Sequence, residues 1–284
     1  MGKHVGLWLC LVSMVILGVP VYAADNPAET ASTAVAVEPP PHHALLDQPL
    51  RINLGAFYAS VSNLASLGGP GGGAGVAVDF GKALDLPSYN IVGEASMRWR
   101  FTQRWRLDVD YFNINRHGTR TLTESIDWNG TTIPIGSEVE AESKFSDLRT
   151  AVGYSFFQRA DKEVGLGLGL HVAQSKTSIT TTNTGASSAN VTAPLPVLVF
   201  YSNFALTNTW AMSMRLDWLS LAYGDYSGQI RGVALDFLYQ PYQHVGFGFG
   251  WHSLLLNLDV AKTDWSGTMK STFQGPAAFV SLSY

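Results

Sequence analysis

The sequence predicts an all-β fold, a closed antiparallel up-and-down barrel of about ten strands. Apolar and polar residues alternate with a period of two from residue 49 to Tyr284, in segments of strand length. Short connections between these segments alternate with long ones, as they do where strands run up and down a barrel. No stretch of comparable length shows a 3.6-residue period, so a helical domain is not supported.

The composition limits the classes of protein to which the chain can belong. Charged residues make up 14% of the 284 residues, against roughly 25% in soluble globular proteins. Aromatic residues make up 12%, and there are 28 glycines. This balance argues against a disordered chain and against an ordinary cytosolic surface. Because the formal net charge is −4, we expect no nucleic-acid partner.

The chain begins with the pattern of a secretory signal peptide. A basic start precedes an apolar run over residues 5–19, and residues 21–23 place small side chains where a signal peptidase cleaves. We expect residues 1–23 to be a signal peptide cleaved after Ala23. A single-pass anchor is the competing interpretation, for which the run is short. Cys10, the only cysteine, lies inside the leader, so the mature chain has no thiol chemistry.

Residues 24–48 have no apolar period and are rich in Ala, Thr, Val, Glu and Pro, which predicts a flexible, Pro-rich linker. His42 and His43 are adjacent, but no further ligands follow at a useful spacing, so no metal site is expected. The glycine-rich stretch over residues 68–75 lacks the spacing of a nucleotide-binding loop and predicts only a flexible connection. We therefore expect no cofactor.

The connections divide into two sets. Those near residues 102–104, 158–162, 207–208 and 241–243 are short, whereas those over residues 63–89, 117–144, 178–194 and 259–271 are long. The connection at 222–227 is the one exception on the long side. Within the second long connection, Asn129 and Gly130 predict a further hairpin. Short turns on one side and long loops on the other are typical of outer-membrane barrels.

The last segment, residues 278–284, ends on an aromatic residue preceded by apolar residues at alternate positions. It resembles the C-terminal signal by which outer-membrane barrels are recognised for assembly. With the leader and the alternating connections, residues 49–284 resemble a small Gram-negative outer-membrane β-barrel protein. The resemblance implies a transmembrane β-barrel in the bacterial outer membrane, with outer-membrane lipid and the barrel assembly machinery as partners. It implies that Val280, Leu282 and Tyr284 form the assembly signal.

A soluble, lipocalin-like barrel would show the same alternation with its faces exchanged. Two patterns favour the membrane. Aromatic residues cluster at both strand ends, as interfacial belts require. Glycines of the segments 164–171 and 245–252, which repeat each other at an offset of 81 residues, lie on the polar face. We expect them to leave room for long side chains from opposite strands.

The polar face carries six arginines and six acidic residues, which we expect to line the lumen. A single arginine at the lipid midplane would cost about 2 to 4 kcal/mol, so the set identifies the inner face. Across the turn at 102–104, Arg98 falls opposite Asp108. Equal numbers of each sign predict a paired network that fills the lumen. The expected members are Arg51, Glu94, Arg98, Arg100, Arg106, Asp108, Asp110, Asp147, Arg149, Arg215, Asp217 and Asp236.

Three functions remain open at this stage. The first is a structural or surface-interaction role through loops 63–89 and 117–144, with an extracellular ligand as partner. The second is a narrow, porin-like channel or carrier for a small solute. The third is a surface hydrolase. Omptin-type proteases carry paired acids and a histidine at the extracellular rim. Asp108 and Asp110 instead follow a short turn, which places them at the periplasmic end. His171 and His252 face the lumen without an assignable serine, so we predict no catalytic residue.

Overall fold

The computed structural model describes residues 39–68, 78–123, 125–128, 131–181, 185–223, 226–261 and 266–284. The predicted signal peptide and residues 24–38 of the predicted linker lie outside these ranges. The elements in chain order are α1 Ala44–Asp47, β1 Leu50–Gly68, β2 Val78–Asp79, α2 Phe80–Ala83, β3 Tyr89–Arg100, β4 Trp105–Thr121, β5 Ile126–Trp128, β6 Thr131–Ile133, β7 Glu138–Gln158, β8 Lys162–Thr181, β9 Gly185–Ala205, β10 Trp210–Tyr223, β11 Tyr226–Tyr239, β12 Val245–Ala261 and β13 Ser266–Ser283.

Ten of these strands form a closed antiparallel barrel, which confirms the predicted fold. Each barrel strand pairs with the next one in the chain, and β13 pairs back onto β1. Leu50 and Tyr284 exchange backbone hydrogen bonds of 3.1 and 2.9 Å, so the barrel begins and ends on one side. We call this side, with the connections at 101–104, 159–161, 206–209 and 240–244, the short-turn end, and the other side the long-loop end. Neither helix of the described residues is long and apolar enough to cross a membrane.

Two of the expected long loops are instead largely strand. β8 and β9 stay paired out to Thr181 and Gly185, and β12 and β13 out to Ala261 and Ser266. The prediction of loops over 178–194 and 259–271 is therefore wrong. Serine, threonine and alanine in these stretches resemble loop composition, but threonine also favours the extended backbone of a strand. β5 pairs with β6, as the hairpin predicted there requires, and the turn residues 129 and 130 themselves lie outside the described residues.

Side chains alternate between the lumen and the outer surface along each strand. In β7, Phe145, Asp147 and Arg149 are buried inside the barrel, whereas the residues between them point outward. Outward-facing apolar residues such as Leu166 and Phe247 are about half exposed. Exposed aromatic residues lie on the outer surface in two groups. Trp99, Phe101, Trp105, Phe156, Trp210, Tyr239 and Tyr284 lie toward the short-turn end, and Tyr58, Tyr111 and Trp218 lie toward the long-loop end.

The end of the predicted linker is ordered. Residues 44–47 form α1, and the buried Leu45 packs against Ala211 and Leu238 inside the short-turn end of the barrel. His42 N–H donates to Asn208 Oδ1 at 2.9 Å, which anchors the segment to a turn. The linker prediction therefore fails at this end, because two adjacent leucines gain more from burial than the segment loses in chain entropy.

The lumen is filled in layers. Beyond the α1 segment lies a layer of charged side chains, which we call the ionic layer. On its long-loop side lies an aromatic layer in which Phe57, Phe112, Phe145 and Phe273 contact one another, with ring centroids 4.3 to 6.1 Å apart. A further apolar cluster at the long-loop end packs the loops against the wall. Its members are Leu84, Leu86, Leu122, Ile133, Val139, Ala141 and Ile179.

Candidate functional site

One part of the ionic layer is built around a fully buried carboxylate. Glu163 is the second residue of β8, and its two oxygens accept hydrogen bonds from Arg100 at 2.8 and 2.9 Å. Asn203 on β9 donates to the same carboxylate at 2.8 Å, and the Ser155 hydroxyl on β7 donates to it as well. Two parallel charge-assisted hydrogen bonds make this the strongest type of ion pair.

A shared carboxylate joins two further arginines. Asp108 accepts from Arg98 Nε at 3.1 Å and from Arg106 Nε at 2.9 Å. The register places Arg98 directly opposite Asp108 on β3 and β4, as the short turn between them predicts. The Arg106 guanidinium lies over the ring of Tyr201, 3.2 Å from its centroid, in a cation–π contact. This group links three strands of the wall.

The largest ion-pair group crosses the lumen from β7 to β10. Arg149 donates through Nε and Nη2 to Asp217 at 2.9 and 2.8 Å, and through Nη1 to Asp110 at 2.7 Å. Arg215 donates to Asp110 at 2.8 Å, and its Nε lies 3.3 Å from Asp217. Because β8 and β9 separate β7 from β10 along the wall, these bonds close across the interior.

Two imidazoles lie between carboxylates. His171 Nδ1 is 2.7 Å from Asp147 Oδ2, and its Nε2 is 3.8 Å from Asp217 Oδ2 on β10. His252 Nδ1 is 2.9 Å from Glu94, and its Nε2 is 2.9 Å from Asp236. A base that activates a serine needs a nitrogen directed at the hydroxyl. Here each nitrogen faces a carboxylate, so the arrangement favours a network role for both histidines.

Arg51 departs from the expected pairing. Its side chain is buried, and its Nη2 donates to Gln240 Oε1 at 3.4 Å. Among the described residues, no aspartate or glutamate forms a salt bridge with it. The physical reason is the register, because the residue opposite Arg51 on β3 is Arg98 and not an acid.

Sequence reasoning missed three buried members of the layer: Glu163, Tyr201 and Asn203. Glu163 could have been found, because it has the same inward parity as Gly165 on β8. Tyr201 offers no such signal, since an aromatic residue on a barrel strand is equally suited to the outer surface.

Three glycines of the inner face accommodate aromatic rings, and these rings come from nearby strands. A Cβ atom at Gly153 on β7 would lie 2.7 Å from Tyr201 Cε1 on β9, and Gly165 on the intervening β8 lies under the same ring. Gly248 on β12 lies under the ring of Phe279 on β13. The prediction that side chains from opposite strands occupy this room is therefore wrong at these glycines, because the rings of Tyr201 and Phe279 lie along their own part of the wall.

The residues of the predicted assembly signal lie on the outer surface of β13 and at its end. Val280 and Leu282 face outward and are exposed, and Tyr284 is the most exposed of the large apolar residues described. His244 packs its ring against Tyr284 with the centroids 5.9 Å apart. The segment is thus accessible along the seam between β1 and β13.

A cavity of about 140 Å³ remains within the ionic layer. Its lining includes Arg51, Arg98, Arg106 and Arg215, with Leu45 at the short-turn side. Within the described part of the chain, no group of three or more His, Cys, Asp or Glu side chains is arranged to hold a metal ion. The cavity can hold a small solute, and its lining reaches from Leu45 to Phe57 and Phe273 of the aromatic layer.

The sequence matches no protein-family model and no curated protein. Among solved structures, the chain is similar to the outer membrane protease OmpT from Escherichia coli, with a TM-score of 0.53 and 9% identity over 83% of this chain and 97% of that one. It is also matched to Ail, the attachment invasion locus protein of Yersinia pestis, with a TM-score of 0.34 and 9% identity over 80% of this chain and 98% of that one. The fold is that of an outer-membrane β-barrel protein.

Proposed function

We propose that this chain is an integral barrel of the bacterial outer membrane, closed to diffusion, that acts at the cell surface through its long-loop end. The observation that carries the proposal is the packing of the lumen. An ionic layer of buried salt bridges lies between the α1 segment and an aromatic layer. A diffusing solute would have to displace apolar packing on both sides of a charged network, which makes a steady open pore unfavourable.

The long-loop end supports a role outside the membrane. A barrel strand needs about 9 to 11 residues to cross the hydrocarbon layer, whereas β7, β8 and β9 have 21, 20 and 21 residues. With the short-turn end in the periplasm, these strands extend well beyond the membrane on the other side. The apolar cluster around Leu84, Leu122 and Ile133 packs the first two loops against this extension. The loops thus present a folded surface on which a partner could dock.

The proposal contains no catalytic step. Asp108 and Asp110 are committed to arginines inside the lumen, and His252 is held by carboxylates at both ring nitrogens. A hydrolase that used these groups would need at least one of them directed at an accessible substrate.

Planar-bilayer recording of the purified protein tests the closure. We expect no steady single-channel steps, because the ionic layer and the aromatic layer both lie in the lumen and neither contains residues 24–48. Removal of residues 24–48 should leave the protein non-conducting for the same reason. Steady steps in the full protein would contradict the proposal and would favour the channel or carrier for a small solute.

Labelling of intact cells tests the orientation. Ile135 lies beside the β5–β6 hairpin and is 64% exposed, and Tyr242 lies in a short turn and is 65% exposed, so the two positions form a matched pair. In Ile135→Cys, a membrane-impermeant maleimide should react on intact cells, whereas in Tyr242→Cys it should react only after lysis. Reaction at position 242 on intact cells would overturn the surface role of the loops.

A further inference from the structure

The short-turn half of the ionic layer holds more positive than negative charge. Its four guanidiniums face only two carboxylates. The group comprises Arg51, Arg98, Arg100, Arg106, Asp108 and Glu163. The strand register adds to the imbalance, because it places Arg51 opposite Arg98 and Arg100 opposite Arg106. Like charges directly opposite each other in an antiparallel pair are destabilising.

The two carboxylates are already committed. Glu163 is held by the two nitrogens of Arg100, and Asp108 is divided between Arg98 and Arg106. The remaining donors are paired weakly. Arg51 has one 3.4 Å hydrogen bond to a neutral amide. Arg106 Nη1 lies 3.9 Å from Glu163 Oε2 and has no hydrogen-bond partner, although the side chain is 1% exposed. A buried guanidinium without an anionic partner carries a large desolvation penalty.

The incompletely paired groups share one space. Arg51, Arg98 and Arg106 all line the 140 Å³ cavity, together with Asn53 and Ser96. Besides Asp108, five further carboxylates line the same cavity, and each of them is already paired with Arg149, Arg215, His171 or His252. Asn53 Nδ2 donates to Ser96 Oγ at 3.0 Å, so the Ser96 hydroxyl hydrogen remains available to a further acceptor. Leu45 closes the cavity on the short-turn side, which limits its contact with water. Charge-assisted hydrogen bonds are strong in such surroundings.

We propose that the cavity between Arg51, Arg98 and Arg106 binds one small inorganic oxyanion, phosphate or sulfate. The planar fork of a guanidinium matches the spacing of two oxygens on such an ion, and a divalent anion would balance the two excess positive charges of the short-turn half of the layer. The site is separate from the surface role proposed above and does not depend on it, because the ion lies inside the barrel at the end away from the loops.

The test uses the full protein, purified from membranes in detergent and freed of phosphate and sulfate. Equilibrium dialysis against labelled sulfate or phosphate, at an ionic strength fixed with gluconate, should show saturable binding of one ion per chain. Arg51→Gln should weaken that binding about tenfold or more, because it removes a charged donor from a buried site. Arg104→Gln, at an exposed turn where the arginine donates to the Tyr154 hydroxyl, should bind as the parent does.

A second variant separates loss of the site from loss of the fold. Gln240→Glu places a carboxylate at the oxygen that Arg51 already contacts, so an internal anion would replace the bound one. We expect this variant to keep the heat-modifiable migration of a folded barrel and to lose oxyanion binding. The absence of saturable binding in the parent, parent-like binding by Gln240→Glu, or equally tight binding of chloride would each overturn the proposal.

Discussion

The buried pair of Arg100 and Glu163 provides the sharpest test of how the lumen is stabilised. In Glu163→Gln, the Arg100 guanidinium stays buried but faces a neutral amide with a single acceptor oxygen. The amide nitrogen would also face the Asn203 donor, which now bonds a carboxylate oxygen at 2.8 Å. Removing one partner of a buried ion pair costs about 3 to 5 kcal/mol, and we expect a loss of free energy of unfolding in that range.

The assay is equilibrium unfolding by urea in phospholipid vesicles, monitored by tryptophan fluorescence. The transition is measured starting from folded protein and again starting from unfolded protein. Glu142→Gln is the matched control, because that glutamate also contacts a basic side chain, Lys144 Nζ at 2.7 Å, but does so on the outer surface of the same barrel. We expect the control to unfold with the parent, since exposed pairs contribute little. The double variant Arg100→Met and Glu163→Met should recover most of the loss, because neither member of this pair is then left buried without its partner. A Glu163→Gln variant as stable as the control would refute the reasoning.

Two further predictions concern the inner face and the α1 segment. Gly165→Ala should lower the free energy of unfolding by about 1 to 3 kcal/mol, because the added Cβ would meet the Tyr201 ring. Gly93→Ala is the control and should be neutral, because no atom lies within 4 Å of a Cβ at that position. Equal effects of the two substitutions would contradict this packing. Burial, followed by the charge of Arg51, lowers the pKa of His43 to about 4. If the α1 segment leaves the barrel, His43 regains its ordinary pKa of about 6.5 and takes up a proton that it does not bind when the segment is docked. Docking of the α1 segment should therefore weaken as the pH falls from about 6.5 to 4. A nitroxide spin label at position 47 should become more mobile as the pH falls across that range, and this change should be lost in His43→Gln. The same pH dependence in the parent and in the variant would contradict the role of His43.

The strand count and the inner face could be predicted from the sequence because both depend on local alternation. A period of two assigns each residue to a face regardless of what lies beyond the strand. Arg98 and Asp108 could be paired in advance because a short turn fixes their register. The same parity places Glu163 inside, although its partner Arg100 belongs to a strand that is not its neighbour in the barrel.

The contacts across the lumen could not be predicted. Arg149 meets Asp217 three strands away, and that meeting depends on strand tilt and stagger, which no local pattern encodes. The aromatic layer was missed for a different reason. A phenylalanine on a barrel strand is favourable both in lipid and in a filled lumen, so Phe145 and Phe273 carry no signal of their own. Their stacking becomes visible only when β7 and β13 are brought together through the interior.

The position of the ionic layer between apolar layers bears on what the salt bridges contribute. In such surroundings the attraction between paired charges little more than offsets the free energy needed to remove them from water. The ion pairs therefore add little net stability compared with apolar residues that fill the same volume. They do discriminate between registers. A slip of one residue in β7 would turn Arg149 outward and leave Asp110 and Asp217 with only Arg215, at the cost of buried unpaired charge. Because β8 and β9 lie between the strands that this group joins, one such contact constrains the stagger of four strands at once. The ionic layer therefore acts mainly to select one strand register from the alternatives with a different stagger. The apolar layers on both sides of it supply most of the stability of the barrel.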